Sequence, residues 1–225
     1  MTSVIDNELS ASLAKLTLEP NQKERSEAAR CIQRTWRKFS KRKEAFLQER
    51  IRWALEKPEA LQKKEGVTMG QQRDAKQKEE KEWGNAMIGQ KNNGQWTTLL
   101  GERLVYDVLQ RLGQNPRKVK RKGGFEPDWE TDNYMYEVKT SNWWVGGTAG
   151  EKVLGTWIKY QDIPELYGKP LRIVCLANQE YELEFGKTKY FGEHVTEKTK
   201  QLLSLASSWQ IEYIRFSDLV SKLPD

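Results

Sequence analysis

The sequence holds a single histidine, His194, among its 225 residues. That scarcity argues against zinc sites built on imidazole and against catalytic triads that need a histidine base. His194 reads as a lone surface residue. Cysteine is nearly as rare. Cys31 and Cys175 stand far apart in segments of different character, with no pairing pattern of a disulfide scaffold. This fits a reducing, intracellular compartment. No stretch approaches the ~20 apolar residues of a membrane span, so no membrane partner is expected. The opening MTSVIDNELS has neither a basic start nor an apolar run and does not read as a secretory signal. The expected location is the cytoplasm or nucleus of a host cell. Apolar residues make up 37% of the chain and charged residues 31%, so part of it should lie outside a core.

Positive charge is in surplus. The formal net charge is +6, a balance that favours a polyanionic partner. Residues 23–82 carry 18 basic and 11 acidic side chains, a surplus of +7 that accounts for the whole excess. Composition therefore divides the chain into three. Residues 1–22 are polar and expected to be disordered. Residues 23–82 form a basic helical extension and linker. Residues 83–225 form the folded domain. In the extension, Ala29, Ile32, Trp36, Phe39 and Phe46 recur at roughly helical spacing over Ser26 to Leu55. The following QKKEGVTMGQQRDAKQKEEKEW has almost no apolar residues and reads as linker or solvated helix.

From Trp83 the character changes. Leu99 to Leu112 predicts an amphipathic helix, with Leu100, Leu104, Val105, Val108, Leu109 and Leu112 on one face and Gly113 as its stop. RKVKRKGG follows as a basic loop. PDWETDNYMYEVKT predicts two short strands joined at Asp132-Asn133. The glycine-rich GGTAG leads into EKVLGTWIKY, read as a helix. LRIVCLA is a continuous apolar run, as in a fully buried strand. Thr196 should cap a helix ending at Ser208, and IEYIRF alternates like a last strand. The order helix, hairpin, helix, strand, helix, strand defines an α/β fold with a mixed sheet flanked by helices.

The hairpin carries the chemistry. A two-residue turn at Asp132-Asn133 sets Glu130 opposite Met135, Trp129 opposite Tyr136 and Asp128 opposite Glu137. Cross-strand neighbours have Cβ atoms about 5 Å apart on one face. Two carboxylates so placed repel unless a cation lies between them. Lys139, two residues past Glu137, emerges on the same face. Carboxylate oxygens suit a hard cation such as Mg²⁺, which engages substrate phosphates. A lysine beside it can hold or deprotonate an attacking water. Glu102, at the border of the preceding helix's apolar face, is placed to be a further metal ligand. A plain surface hairpin with a solvated Glu137–Lys139 pair is the simpler alternative.

At these positions the sequence resembles the PD-(D/E)xK nuclease superfamily: Glu102 in the first helix, Pro127-Asp128 on one strand, Glu137-Val138-Lys139 on the next. Over about residues 92–220 it looks like type II restriction endonucleases, including those carried by large DNA viruses. The resemblance implies a restriction-endonuclease-like core and Mg²⁺-dependent cleavage of double-stranded DNA, with Mn²⁺ expected to substitute. It also implies a homodimer acting at a short palindrome. In such enzymes the matched acidic residues Asp128 and Glu137 bind metal, and Lys139 assists the water. Two rivals stand beside it: a structure-specific repair or recombination nuclease, and a non-catalytic binding protein on an inherited nuclease fold.

Basic and aromatic neighbours are candidates for gripping DNA. Arg117, Lys118, Lys120, Arg121 and Lys122 precede the hairpin, where phosphate contacts would fix register. Trp143, Trp144 and Lys152 follow Lys139, around the glycine-rich loop. The plainer alternative has the Trp pair packing the core and the basic run as a solvated loop. In the extension, residues 30–43 hold seven basic and no acidic side chains. IQRTWRKFSKR there resembles an IQ motif, with Ile32, Gln33, Arg37 and Arg42 at its principal positions and Lys38 where glycine is common. That resemblance implies calmodulin or a related EF-hand protein as partner. A DNA-clamping arm and a helix packed on the nuclease domain remain the alternatives.

Overall fold

The computed structural model describes residues 22–145 and 151–224. Of the expected disordered residues 1–22, all but Gln22, which opens a helix, lie outside it, as does the GGTAG loop. The chain separates into two units, dividing between Glu49 and Arg50. The first, in its described part, is one helical stretch, the leading portion of α1 (Gln22–Leu55). The compact second unit starts at Arg50, well before the expected boundary at Trp83.

The residues between 50 and 82 belong to that unit through polar and aromatic contacts. Helix α2 (Met69–Met87) opens with a capping box in which the Thr68 side chain accepts from Gln71 N and the Gln71 side chain accepts from Thr68 N. Two orphan backbone donors are satisfied reciprocally. The helix docks through Gly84, where an added Cβ would sit 2.0 Å from the Trp96 ring. Asn85 and, earlier on the same helix, Gln72 are also buried. Arg50 reaches Asp107 at 2.7 Å. So of the two readings, linker or solvated helix, the structure gives a largely exposed helix, and it is anchored by a glycine and amides, which a search for apolar periodicity does not register.

Helix α3 (Trp96–Arg111) presents Leu100, Leu104, Val105, Val108 and Leu109, all fully buried. Leu112 is its C-cap and Gly113 turns the chain at φ 72°, a conformation that costs glycine little. The sheet follows in the order β1 (Arg117–Lys118), β2 (Trp129–Glu130), β3 (Met135–Ser141), β4 (Leu171–Ala177), β5 (Ile211–Arg215). The first two pairings are antiparallel and the last two parallel, so the sheet is mixed. The basic run therefore begins as a short edge strand. Strand β4 coincides with LRIVCLA, and six of its seven residues are buried.

Between β3 and β4 lie three short helices: α4 (Glu151–Leu154), α5 (Thr156–Lys159) and α6 (Ile163–Tyr167). The single helix expected over EKVLGTWIKY is thus broken at Gly155, residue by residue the weakest helix former in that run. Helix α7 (Asn178–Phe185) follows β4 directly. Helix α8 (Glu197–Ser208) is capped by Thr196, whose hydroxyl accepts from Thr199 N at 3.2 Å. Helix α9 (Phe216–Val220) closes the described chain. The fold is α/β with helices against a five-stranded mixed sheet. Among the described residues no helix is long and apolar enough to cross a membrane.

Candidate active site

The hairpin forms in the expected register. Trp129 pairs with Tyr136 and Glu130 with Met135, and Thr131 N donates to Tyr134 O at 2.9 Å across the Asp132-Asn133 turn. The ladder stops one pair short of Asp128. Pro127, which precedes it, has no N–H to give. The Asp128 side chain takes over instead: its Oδ2 accepts the Val138 N–H at 2.7 Å. Asp128 is thereby held beside Glu137 by its carboxylate as well as by its backbone.

Glu137 is 5% exposed. Its Oε1 accepts from Lys139 Nζ at 2.6 Å. Its Oε2 is buried without a hydrogen-bond partner. Burial, followed by the charges of Glu137 and then Glu102, pushes the Asp128 carboxyl up to about 8. A charge-stripped carboxyl among other carboxylates prefers to keep its proton. Glu102 sits on α3, and its backbone carbonyl accepts from Trp129 Nε1 at 2.9 Å, tying the helix to β2. Its carboxylate is turned to Lys118, whose Nζ lies 3.3 Å from Oε2 and 4.1 Å from the centre of the Trp129 ring. The helix comes this close to the sheet because residue 101 is glycine: a Cβ there would fall 1.9 Å from Thr140 Oγ1.

Among the described residues no group of three or more histidine, cysteine, aspartate or glutamate side chains is drawn together tightly enough to hold a metal. Two carboxylates nevertheless fit a hard cation. Asp128 and Glu137 are oxygen donors, they oppose one another's charge, and a buried Glu137 oxygen lacks a partner. Glu102, the third acidic residue nearby, has an oxygen committed to Lys118.

Tyr160 completes the cluster, and the sequence offered no sign of it. It is the buried C-cap residue of α5, with Lys139 Nζ 5.9 Å from its ring centre and Lys159 Nζ 3.1 Å from its hydroxyl oxygen. Burial, then the charges of Glu137 and Asp128, push its phenol well up. The only route to it from sequence would have been the register of α5 against β3, which a glycine-broken helix obscures.

The expected DNA-contacting residues divide. Arg117 pairs with Asp132 at 2.9 Å, Lys118 with Glu102, and Arg121 donates to the Gly124 carbonyl. Lys122 lies over the Tyr167 ring. Lys120 is exposed. Trp143 is held by structure: its Nε1 donates to Trp53 O at 2.8 Å and its N–H to Glu80 Oε1 at 3.0 Å. Trp144 is half-buried beside it. The side chain of Lys152 lies outside the described residues. On α1, Gln33, Arg37 and Arg42 are exposed and Ile32 is half-buried. Trp36 is 61% exposed and pairs with Phe39 at 5.9 Å.

Comparison with protein-family models, with curated proteins and with solved structures gives no match for this chain. The reading of the site therefore rests on its own chemistry.

Proposed function

We propose that the protein is a metal-dependent endonuclease that hydrolyses phosphodiester bonds of double-stranded DNA, in the manner of a type II restriction enzyme. The observation that carries this reading is the joint placement of Asp128 and Glu137, with Lys139 2.6 Å from the latter. A buried carboxylate pair that repels itself and leaves an oxygen unpartnered is costly unless a cation uses it. Asp128 and Glu137 would hold Mg²⁺ or Mn²⁺, with Glu102 available once Lys118 lets go. When bound, such an ion supplies Lewis-acid stabilisation of charge on the phosphoryl oxygens.

The chain's own groups do the rest. Lys139 Nζ, an ammonium fixed by Glu137, orients a water toward phosphorus. The Val138 N–H fixes Asp128 through Oδ2 and leaves its second oxygen for the metal. The surplus of positive charge draws the duplex in. Hydrolysis then adds the water oxygen to phosphorus, breaks one P–O ester bond and leaves the water's proton on the departing sugar oxygen. The test is incubation of the purified protein with plasmid and Mg²⁺, followed by sequencing of the ends. Discrete ends support the restriction-like reading, branch-dependent cutting favours a repair or recombination nuclease, and intact plasmid with either metal overturns the enzyme reading.

A second reading concerns α1 alone. Trp36 is largely exposed on a helix rich in Arg and Lys, with Lys43 over the Phe39 ring at 4.8 Å. Such a face suits an EF-hand partner of the calmodulin kind. Calorimetry of a peptide spanning residues 26–48 against calmodulin tests it. Binding that a Gln33→Ala peptide loses supports the reading; no heat, or an unchanged Gln33→Ala peptide, removes it.

A further inference from the structure

The candidate site has several cations around it, and most are already neutralised. Lys139 is paired with Glu137, Lys118 with Glu102, and Arg117 with Asp132. Lys159 differs. It is exposed on the last turn of α5, and the group its ammonium meets is a neutral phenol: Nζ lies 3.1 Å from the Tyr160 oxygen and 4.6 Å from its ring centre. Among the described residues it forms no ion pair with a carboxylate. Among the described residues its charge therefore stands next to the candidate cluster without a counter-ion of its own.

The Tyr160 hydroxyl links this ammonium to the carboxylates. It accepts from Lys159, which leaves its own proton free, and after burial the charge that bears most on the phenol is that of Glu137. Lys139, which holds Glu137 Oε1 at 2.6 Å, lies 5.9 Å from the centre of the same ring, so phenol and carboxylate flank one ammonium. The ring itself belongs to the core and sits 6.1 Å from Phe125, so its position is set by packing and not by the charges around it. Placed there, the pair offers two distinct services: an outward cation for a diester oxygen and an inward hydroxyl for Glu137.

We propose that Lys159 binds a DNA backbone phosphate beside the scissile bond, and that Tyr160 is a positioning residue that orients Glu137. This rests on the nuclease reading of the same site and names a substrate contact within it. A phosphate contact by a lysine releases condensed counter-ions, so its loss is read in the salt dependence of binding and not in affinity alone.

The full chain, with Ca²⁺ in place of Mg²⁺ to hold off cleavage, is titrated with a mixed-sequence duplex over a range of KCl. Lys159→Gln should reduce the slope of log K against log salt by about 0.9, the value for one phosphate contact. Lys200→Gln, remote and paired with Glu197, should leave the slope unchanged. With Mg²⁺, Lys159→Gln should mainly raise KM. Tyr160→Phe, which keeps the ring, should lower kcat and leave the salt slope alone. A wild-type slope in Lys159→Gln overturns the phosphate contact, and a wild-type kcat in Tyr160→Phe overturns the positioning role. A reduced slope in a protein that never cuts keeps the contact and removes the nuclease reading. Failure of the wild-type chain to bind duplex removes both.

Discussion

The Asp128 carboxylate accepts the backbone N–H of Val138, one residue past Glu137, at 2.7 Å. This bond holds a carboxylate where two others oppose its charge. The consequence is a pH-dependent cost. In the folded chain Asp128 keeps its proton up to about 8, whereas an unfolded aspartate loses it near 3.9. Between those values the folded state binds the extra proton, so stability falls as pH rises from about 4 to about 8 and is level above that. Asp128→Asn keeps an oxygen for Val138 and removes the charge. It should melt above the wild type at pH 8 and close to it at pH 4, and it should not cleave DNA. Mg²⁺ should raise the melting temperature of the wild type at pH 8 more than that of the variant. Thermal scans at the two pH values, with and without Mg²⁺, check each point. An Asp128→Asn protein that melts below wild type at pH 8 would show that this carboxylate is not under strain.

Glu102 and Lys118 make a second pair with a readable consequence. The lysine holds the one acidic side chain on α3 that faces the cluster. Glu102→Gln should slow single-turnover cleavage about 10–100-fold, as loss of a supporting metal-site group commonly does. Lys118→Gln releases Glu102 and should tighten Mn²⁺ binding in the absence of DNA, measured by calorimetry. Cleavage by Glu102→Gln at the wild-type rate would take Glu102 out of the site.

The contact of Gly101 with Thr140 is a matter of volume. Alanine at 101 would improve helix propensity by about 1 kcal/mol, yet its Cβ would meet Thr140 Oγ1 at 1.9 Å. Overpacking should win, with a net loss of about 1–3 kcal/mol by urea denaturation. Thr140→Ala on the same chain should recover part of that loss, because the hydroxyl is the nearest obstacle. Additive losses in the double variant would mean that the two residues are not in contact.

Much of this was readable in the sequence wherever apolar pattern decided the structure. The buried face of α3, the seven residues of β4, the Thr196 cap and the hairpin register followed from periodicity and turn chemistry. So did the three residues Asp128, Glu137 and Lys139, because a two-residue turn leaves little freedom in what faces what. The segments that escaped are held by other means. Helix α2 packs through Gly84 and through Glu80, whose Oε1 accepts from Trp53 Nε1 at 2.8 Å. Helix α7 has Asn178, Gln179 and Glu180 buried in its first turn, so its polar start carries no apolar helical pattern. Tyr160 and Lys159 reach the site only through the tertiary placement of α5, which no local pattern encodes.

The junction between β4 and α7 offers a last prediction. Ala177 adopts φ 55° and ψ −137°, a region that side chains with a Cβ rarely enter. It is buried and pairs in register with Ser141 of β3, so the strain sits at the end of the strand that carries Glu137 and Lys139. Such a conformation costs on the order of 1–3 kcal/mol. Glycine relieves it but adds about 0.5–1 kcal/mol of unfolded-state entropy, and removing a buried methyl costs about 1 kcal/mol more. Relief should prevail narrowly, giving Ala177→Gly a stability equal to or slightly above wild type. Ala177→Val, whose branched side chain deepens the clash, should lose several times as much as a typical buried Ala→Val change. Chemical denaturation of the three chains decides it: a marked loss in Ala177→Gly would mean that the methyl's packing outweighs the backbone strain at this turn.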